Sequence, residues 1–138
     1  MGERNRQPHD LPDVFVDAFL GAGFKAPLRE DAAELVRQVN TLRERGIFIF
    51  SLDIPSGLGA MSGRPEPEAV RAQATATFAA AKPGLLLPWA APYTGDLRIC
   101  EIGIPLELMR KSPGEYRLIN PQPGVIAPHH PLSHKTQK

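Results

Sequence analysis

The sequence predicts an α/β fold built on a parallel sheet, and three observations carry that expectation. The first is Ile47-Phe48-Ile49-Phe50, an unbroken apolar run that follows Arg45-Gly46 and gives way to the turn Asp53-Ile54-Pro55-Ser56-Gly57. A run without alternation suits a strand buried on both faces of a parallel sheet. The second is the stretch 31–45 just before it, whose apolar residues recur at helical spacing. The third is another short apolar run, Val14-Phe15-Val16, which also ends on an aspartate. Strand, helix and strand in that order make a right-handed crossover. Asp17 and Asp53 then stand at the carboxyl edge of the sheet, where open α/β sheets bind ligands.

Composition bounds the reading. A chain of 138 residues with 42% hydrophobic content supports one modest core. Sixteen basic and fifteen acidic residues give a formal charge of +1, spread along the chain, so no surface for nucleic acid is implied. The single cysteine, Cys100, excludes a disulfide or a cysteine metal site within one chain. No run approaches the ~18 apolar residues of a membrane span, and residues 1–12 are too polar for a signal-peptide core. The expectation is a cytoplasmic protein.

Residues 1–12 show no periodicity and are read as a flexible leader. After the first strand, Gly21-Ala22-Gly23-Phe24-Lys25-Ala26 fits the dinucleotide turn G-x-G-x-x-G/A. Pro27 interrupts the helix that should follow, and Asp53 lies 30 positions past Gly23 (53 − 23), where the ribose-binding acid is expected about 20 on. Two readings stay open. One is a glycine loop beside a phosphate with Lys25 as a cation; the other is a plain strand-to-helix turn. In the helix, Ala32, Leu35, Val36, Val39 and Leu42 form the apolar stripe, Glu30 and Asp31 suit the amino end, Arg43 and Arg45 suit the carboxyl end, and Gly46 stops it.

Pro55 and Gly57 then force a tight exit from the sheet, presenting Asp53 and Ser56 on its rim. Asp53 is read either as a ligand-facing carboxylate or as the cap of its own turn. The segment 58–68 is irregular, 72–79 reads as a third strand through Thr75, Thr77 and Phe78 while its alanines leave helix open, and Lys82-Pro83-Gly84 is a turn whose lysine either faces substrate or is solvated. Leu85 to Trp89 forms an apolar plug with Trp89 and Tyr93 as packing groups, and 97–102 is a fourth strand. The folded part is expected to span 13–109, followed by a disordered Pro-rich C-terminal tail over 110–138. His129, His130 and His134 fall in that tail without a carboxylate or cysteine partner, which favours adventitious metal binding over a built site.

Several of these strings, taken together, carry a resemblance. Leu52-Asp53-Ile54-Pro55-Ser56-Gly57-Leu58 resembles the hallmark of the NAD(P)H-hydrate epimerase family, the YjeF N-terminal domain. Val16-Asp17-Ala18-Phe19-Leu20-Gly21-Ala22-Gly23 is similar to its Asp-Ala-x-x-Gly-x-Gly segment. Thr77-Phe78 with Lys82-Pro83-Gly84-Leu85-Leu86, then Tyr93-x-Gly95 and Ile102-Gly103-Ile104-Pro105, continue the order. Gly59 stands where the family commonly has an acidic residue. Ser133-His134-Lys135 resembles the opening of the dehydratase domain that often follows in fused proteins.

The resemblance implies a Rossmann-like three-layer parallel sheet. It also implies an isomerase that interconverts the R and S epimers of hydrated NADH or NADPH, so that a partner NAD(P)H-hydrate dehydratase can restore the cofactor. By the same likeness Asp53 would contact the hydrated ring and move its proton, and Gly21, Ala22, Gly23, Phe24, Lys25, Ala26 and Pro27 would line the dinucleotide site. Asp17 and Ser56 would ligate a potassium ion. The family also carries a helical segment, a first strand and a Gly-Asn-Asn-Gly-Gly-Asp-Gly loop upstream of the matching region. With 12 residues ahead of Asp13, the sequence is expected to hold an incomplete sheet lacking that loop. Its open edge would invite a homo-oligomer or a partner chain, and activity alone is in question. A non-catalytic interaction module of the same fold is the alternative.

Overall fold

The computed structural model describes residues 12–111. The leader, most of the tail, its histidines and Ser133-His134-Lys135 lie outside the described residues. Four strands, β1 (Val14–Asp17), β2 (Phe48–Leu52), β3 (Ala74–Phe78) and β4 (Asp96–Cys100), form one sheet in the order β1-β2-β3-β4, every pair parallel. The predicted α/β class and parallel sheet are therefore present. Helix α1 (Glu30–Glu44) makes the crossover from β1 to β2, and irregular chain joins β2 to β3. Two 3₁₀ turns, Pro83–Leu86 and Pro88–Ala90, and the one-turn helix α2 (Ala91–Thr94) join β3 to β4, with α3 (Leu106–Lys111) beyond. Among the described residues no helix is long and apolar enough to cross a membrane.

Helix α1 forms where the stripe predicts it, and Gly46, with a φ of 89°, ends it. Ala33, Val36 and Val39 turn inward onto Ile47, Ile49, Val70 and Ala72, while Leu35 is exposed rather than buried with them. The side chain of Asn40 fastens the returning chain to the helix. Its Nδ2 donates to the Ala69 carbonyl at 3.1 Å and its Oδ1 accepts from the Arg71 N–H at 2.8 Å. A second cluster, Ile54, Leu58, Ala69, Leu85 and Ala90, seals the carboxyl end of the sheet, with Tyr93 and Leu97 against it. Leu85 thus plugs the core as expected, but Trp89 lies exposed beneath the Arg64 guanidinium, its indole N–H donating to the Ser62 carbonyl at 2.8 Å.

Both clusters lie on one face of the sheet. Side chains alternate along a strand, and in the observed register Phe15, Asp17, Ile49, Ser51, Thr75 and Thr77 share that covered face. The opposite face carries Val14, Val16 and Phe48, which are 50%, 51% and 42% exposed. The expectation that the strand at 47–50 is buried on both faces is corrected: Phe48 stands on the face that α1 and the second cluster leave exposed. The apolar run 47–50 is the sequence of a two-sided strand, shown here with one side covered.

Burial on the covered face predicts an asymmetric response to truncation. Ile49→Ala removes a fully buried side chain beside α1 and is expected to lower the unfolding free energy by about 2–5 kcal/mol. Val16→Ala, on the exposed face, should cost under about 1 kcal/mol. Urea unfolding of the two variants beside the parent checks this, and equal losses would contradict the one-sided core.

Candidate active site

The carboxyl ends of β1, β2 and β3 converge on two aspartates in unlike surroundings. Asp17 ends β1 fully buried, and its carboxylate accepts three hydrogen bonds. Oδ2 takes the Ser51 hydroxyl at 2.7 Å and the Ser56 N–H at 2.9 Å, and Oδ1 takes the Ser56 hydroxyl at 2.5 Å. A buried carboxylate is tolerated only when its oxygens are satisfied in this way. Ser56 Oγ also receives the Leu20 N–H at 3.0 Å and lies 3.4 Å from the Leu20 carbonyl. The loop after β2 is thereby tied to the loop after β1.

The tie depends on the turn that the sequence spells out. Pro55 is buried, and Gly57 adopts a φ of 87° where an added Cβ would meet the Glu68 carbonyl oxygen at 2.2 Å, so only glycine fits. Asp17 and Ser56 do not stand on an open rim as expected. They are packed beneath it, Ser56 being 1% exposed.

Asp53 lies at the surface end of the same turn and takes a φ of 66°, a left-handed conformation that Asp tolerates better than most residues. Its Oδ1 receives the Lys82 ammonium, the Thr77 hydroxyl at 3.5 Å and the Phe78 N–H at 3.4 Å. Lys82 Nζ also donates to Thr77 Oγ1 at 3.0 Å and to the Phe78 carbonyl at 3.1 Å. Burial pushes the Asp53 carboxyl up, but the Lys82 hydrogen bond and charge, helped by the Phe78 and Ala22 N–H groups, outweigh it and hold the group below its ordinary value of 3.8.

The predicted glycine loop arches beside this carboxylate. A Cβ on Gly21 would stand 3.8 Å from Asp53 Oδ2, and the Ala22 N–H is near enough to favour the charged form. The Phe24 N–H donates to the Gly21 carbonyl at 3.0 Å, closing a turn, and Phe24 packs toward the α1 core. Gly21, Ala22, Gly23, Lys25, Ala26 and Pro27 are exposed, so this segment offers backbone and Lys25 to solvent or to a ligand. Ser51, Thr77 and the pairing of Lys82 with Asp53 were not assigned from the sequence. The signal for them was present: Ser51 and Thr77 are polar residues on inward positions of strands, and Lys82 opens a Pro-Gly turn after one.

A family model described as the YjeF-related protein N-terminus matches residues 2–84. The chain belongs to this family. Among relatives of the YjeF-related family, the NAD(P)H-hydrate epimerase of Rhodopirellula baltica is 41% identical over 99 residues, covering 72% of this chain and 39% of that protein. The bifunctional NAD(P)H-hydrate repair enzyme Nnr of Pyrobaculum aerophilum is 39% identical over 109 residues, covering 78% and 21%. The bifunctional NAD(P)H-hydrate repair enzyme of Leishmania major is 41% identical over 100 residues, covering 70% and 17%. The chain therefore spans well under half the length of these relatives.

Two consequences can be measured. Asp17→Ala strips the acceptor from two hydroxyls and one N–H that are all buried, and should destabilise the fold by about 2–5 kcal/mol in denaturant titrations. The second concerns acid. Because folding depresses the Asp53 carboxyl, its contribution to stability is complete above the ordinary value of 3.8 and is lost as pH falls through the lower folded value. The stability gap between the parent and Asp53→Asn should therefore hold above about pH 5 and narrow as the pH falls below the ordinary value, and a constant gap would contradict the pairing.

Proposed function

We propose that this chain carries the reacting end of an NAD(P)H-hydrate epimerase site, acting on hydrated NADH or NADPH in nicotinamide cofactor repair. The observation that supports it best is the Asp53 carboxylate, held ionised at the end of β2 and facing the exposed turn at Gly21 and Ala22. The relatives, an NAD(P)H-hydrate epimerase and two NAD(P)H-hydrate repair enzymes, supply the substrate class.

Inversion at the hydrated carbon requires the hydroxyl to leave and return, or the ring to open at that carbon and close on its other face. In the ring-opening route the carboxylate takes the hydroxyl proton as the carbonyl forms and the carbon–nitrogen bond breaks, passes that proton to the departing ring nitrogen, and reverses both transfers when the ring closes on the other face. In the other route the protonated carboxyl gives its proton so that the hydroxyl leaves as water, and takes one back from the water that returns. Asp53 is the group for this transfer. The segment Gly21, Ala22, Gly23, Phe24, Lys25, Ala26 and Pro27 would lie along the dinucleotide, with small residues allowing close approach and Lys25 supplying positive charge near its phosphates.

Asp17 and Ser56 would hold a potassium ion. The donor chemistry fits: a carboxylate, a hydroxyl and the Leu20 carbonyl converge from two loops, an all-oxygen set of the kind that hard cations take. When bound, the ion would supply a fixed positive charge between the loops after β1 and β2. A partner dehydratase would then consume the product epimer and restore the cofactor; two of the relatives are themselves named bifunctional NAD(P)H-hydrate repair enzymes. A second reading is favoured by Val14 and Val16 of β1 and Phe48 of β2, exposed on one face of a sheet whose edge among the described residues is β1: a second copy or a partner chain packs there, and the chain serves as an interaction module.

The test is an epimerisation assay on the purified full chain. The slow epimer of hydrated NADPH is supplied with potassium and an independent dehydratase, and cofactor recovery is followed by absorbance. Recovery faster than the spontaneous rate is expected, reduced roughly 10²- to 10⁴-fold in Asp53→Asn and lowered when tetramethylammonium replaces potassium. A folded chain that only matches the spontaneous rate would sink the catalytic reading and leave the interaction module.

A further inference from the structure

Lys82 invites assignment as a cation for the dinucleotide phosphates, but its geometry says otherwise. An ammonium has three donors, and all three are used inside the protein, on Asp53 Oδ1, Thr77 Oγ1 and the Phe78 carbonyl. Thr77 is fully buried, so the lysine reaches inward along the end of β3. The chain after it is also fixed. Pro83 begins a 3₁₀ turn, and Gly84 packs so closely that a Cβ there would lie 2.6 Å from the Gly59 carbonyl oxygen and 2.6 Å from the Gly63 nitrogen. The Gly84 N–H donates to the Ala60 carbonyl at 2.8 Å. Turning Lys82 outward would break three hydrogen bonds and leave the Asp53 carboxylate partly buried without its counter-charge.

The contacts of Asp53 are one-sided. The hydrogen bonds from Lys82, Thr77 and Phe78 all end on Oδ1, whereas Oδ2 lies toward Gly21. We propose that Lys82 is a positioning residue, anchoring Oδ1 so that Oδ2 is the oxygen presented to the ligand over the turn at Gly21. This rests on the proposed proton transfer by Asp53. It assigns the two carboxylate oxygens different jobs and removes Lys82 from the phosphate site. Among the described residues Lys82 is the charged side chain paired with Asp53; the remaining groups facing it are the Thr77 hydroxyl and the Phe78 and Ala22 N–H groups.

The experiment compares the parent chain with Lys82→Met and Lys82→Arg, each confirmed as folded by circular dichroism. Two quantities are read: the titration of the Asp53 carboxyl carbon by NMR, and kcat and KM for the hydrated cofactor. In Lys82→Met the carboxyl midpoint should rise and kcat fall roughly a hundredfold, with KM within about twofold of the parent. Lys82→Arg, which keeps the charge, should return the midpoint toward that of the parent. A phosphate-binding lysine would instead raise KM, leaving kcat and the carboxyl titration in place, and that result overturns the proposal. So does an unchanged titration in Lys82→Met. If the parent does not epimerise but its Asp53 midpoint depends on Lys82, the proposed reaction falls and the anchor stands.

Discussion

The structure depends on one buried carboxylate. Asp17 closes β1 with no exposure to solvent, and its three donors come from the body of β2 and from the loop beyond it. Satisfying it dictates the path of that loop. The chain must turn back at Pro55 to aim the Ser56 N–H and hydroxyl at the carboxylate, and Gly57 must take a positive φ to clear the Glu68 backbone. Ser56 in turn takes the Leu20 N–H, so the glycine turn leaving β1 is held by the same serine. The geometry of this strand end is thus set by polar groups rather than apolar packing, and breaking any of them leaves a buried group unpaired.

This arrangement separates two aspartates that look alike in sequence. Both end a strand, yet Asp17 accepts three hydrogen bonds from buried groups of the chain while Asp53 remains partly exposed, with a lysine on one oxygen. A carboxylate surrounded on both oxygens is suited to fixing loops or holding an ion. One with an outward oxygen and a depressed pKa is suited to accept a proton only transiently, returning it because the charged form is favoured. The left-handed backbone at Asp53 is the local strain that this placement requires, and it occurs where a ligand would meet the chain.

Much of this was legible in the chain. The helix stripe and its glycine stop, the four strands in order and the tight turn at Asp53 follow from periodicity and turn chemistry, which act locally. The glycine loop was legible as a pattern, but its place beside Asp53 came only with the fold. What escaped was decided across the sheet. Ser51 reads as the end of an apolar run, and its role appears only when the parallel register sets it opposite Asp17. Lys82 is 29 residues from Asp53 and meets it because β3 lies next to β2. Burial failed for a similar reason: Val14, Val16 and Phe48 are as apolar as their inward neighbours, and composition alone does not tell which face is covered.

The exposed face and the candidate site are nevertheless distinct problems. Val14, Val16 and Phe48 project from one side of the sheet, whereas Asp17, Ser51, Thr75 and Thr77 belong to the other. Each hydrogen-bonding partner of the Asp53 carboxylate arises from the end of β3, the segment just after it or the turn after β1. Covering the open face would therefore add stability to β1 and β2 without supplying a new neighbour to the Asp53 and Lys82 pair. The Asp53 carboxylate is therefore oriented by groups of this chain before any partner or further polypeptide arrives. What such an addition could change is the wall over Gly21 to Gly23, so under the proposed reading completion of the sheet should act on binding of the dinucleotide more than on proton transfer by Asp53.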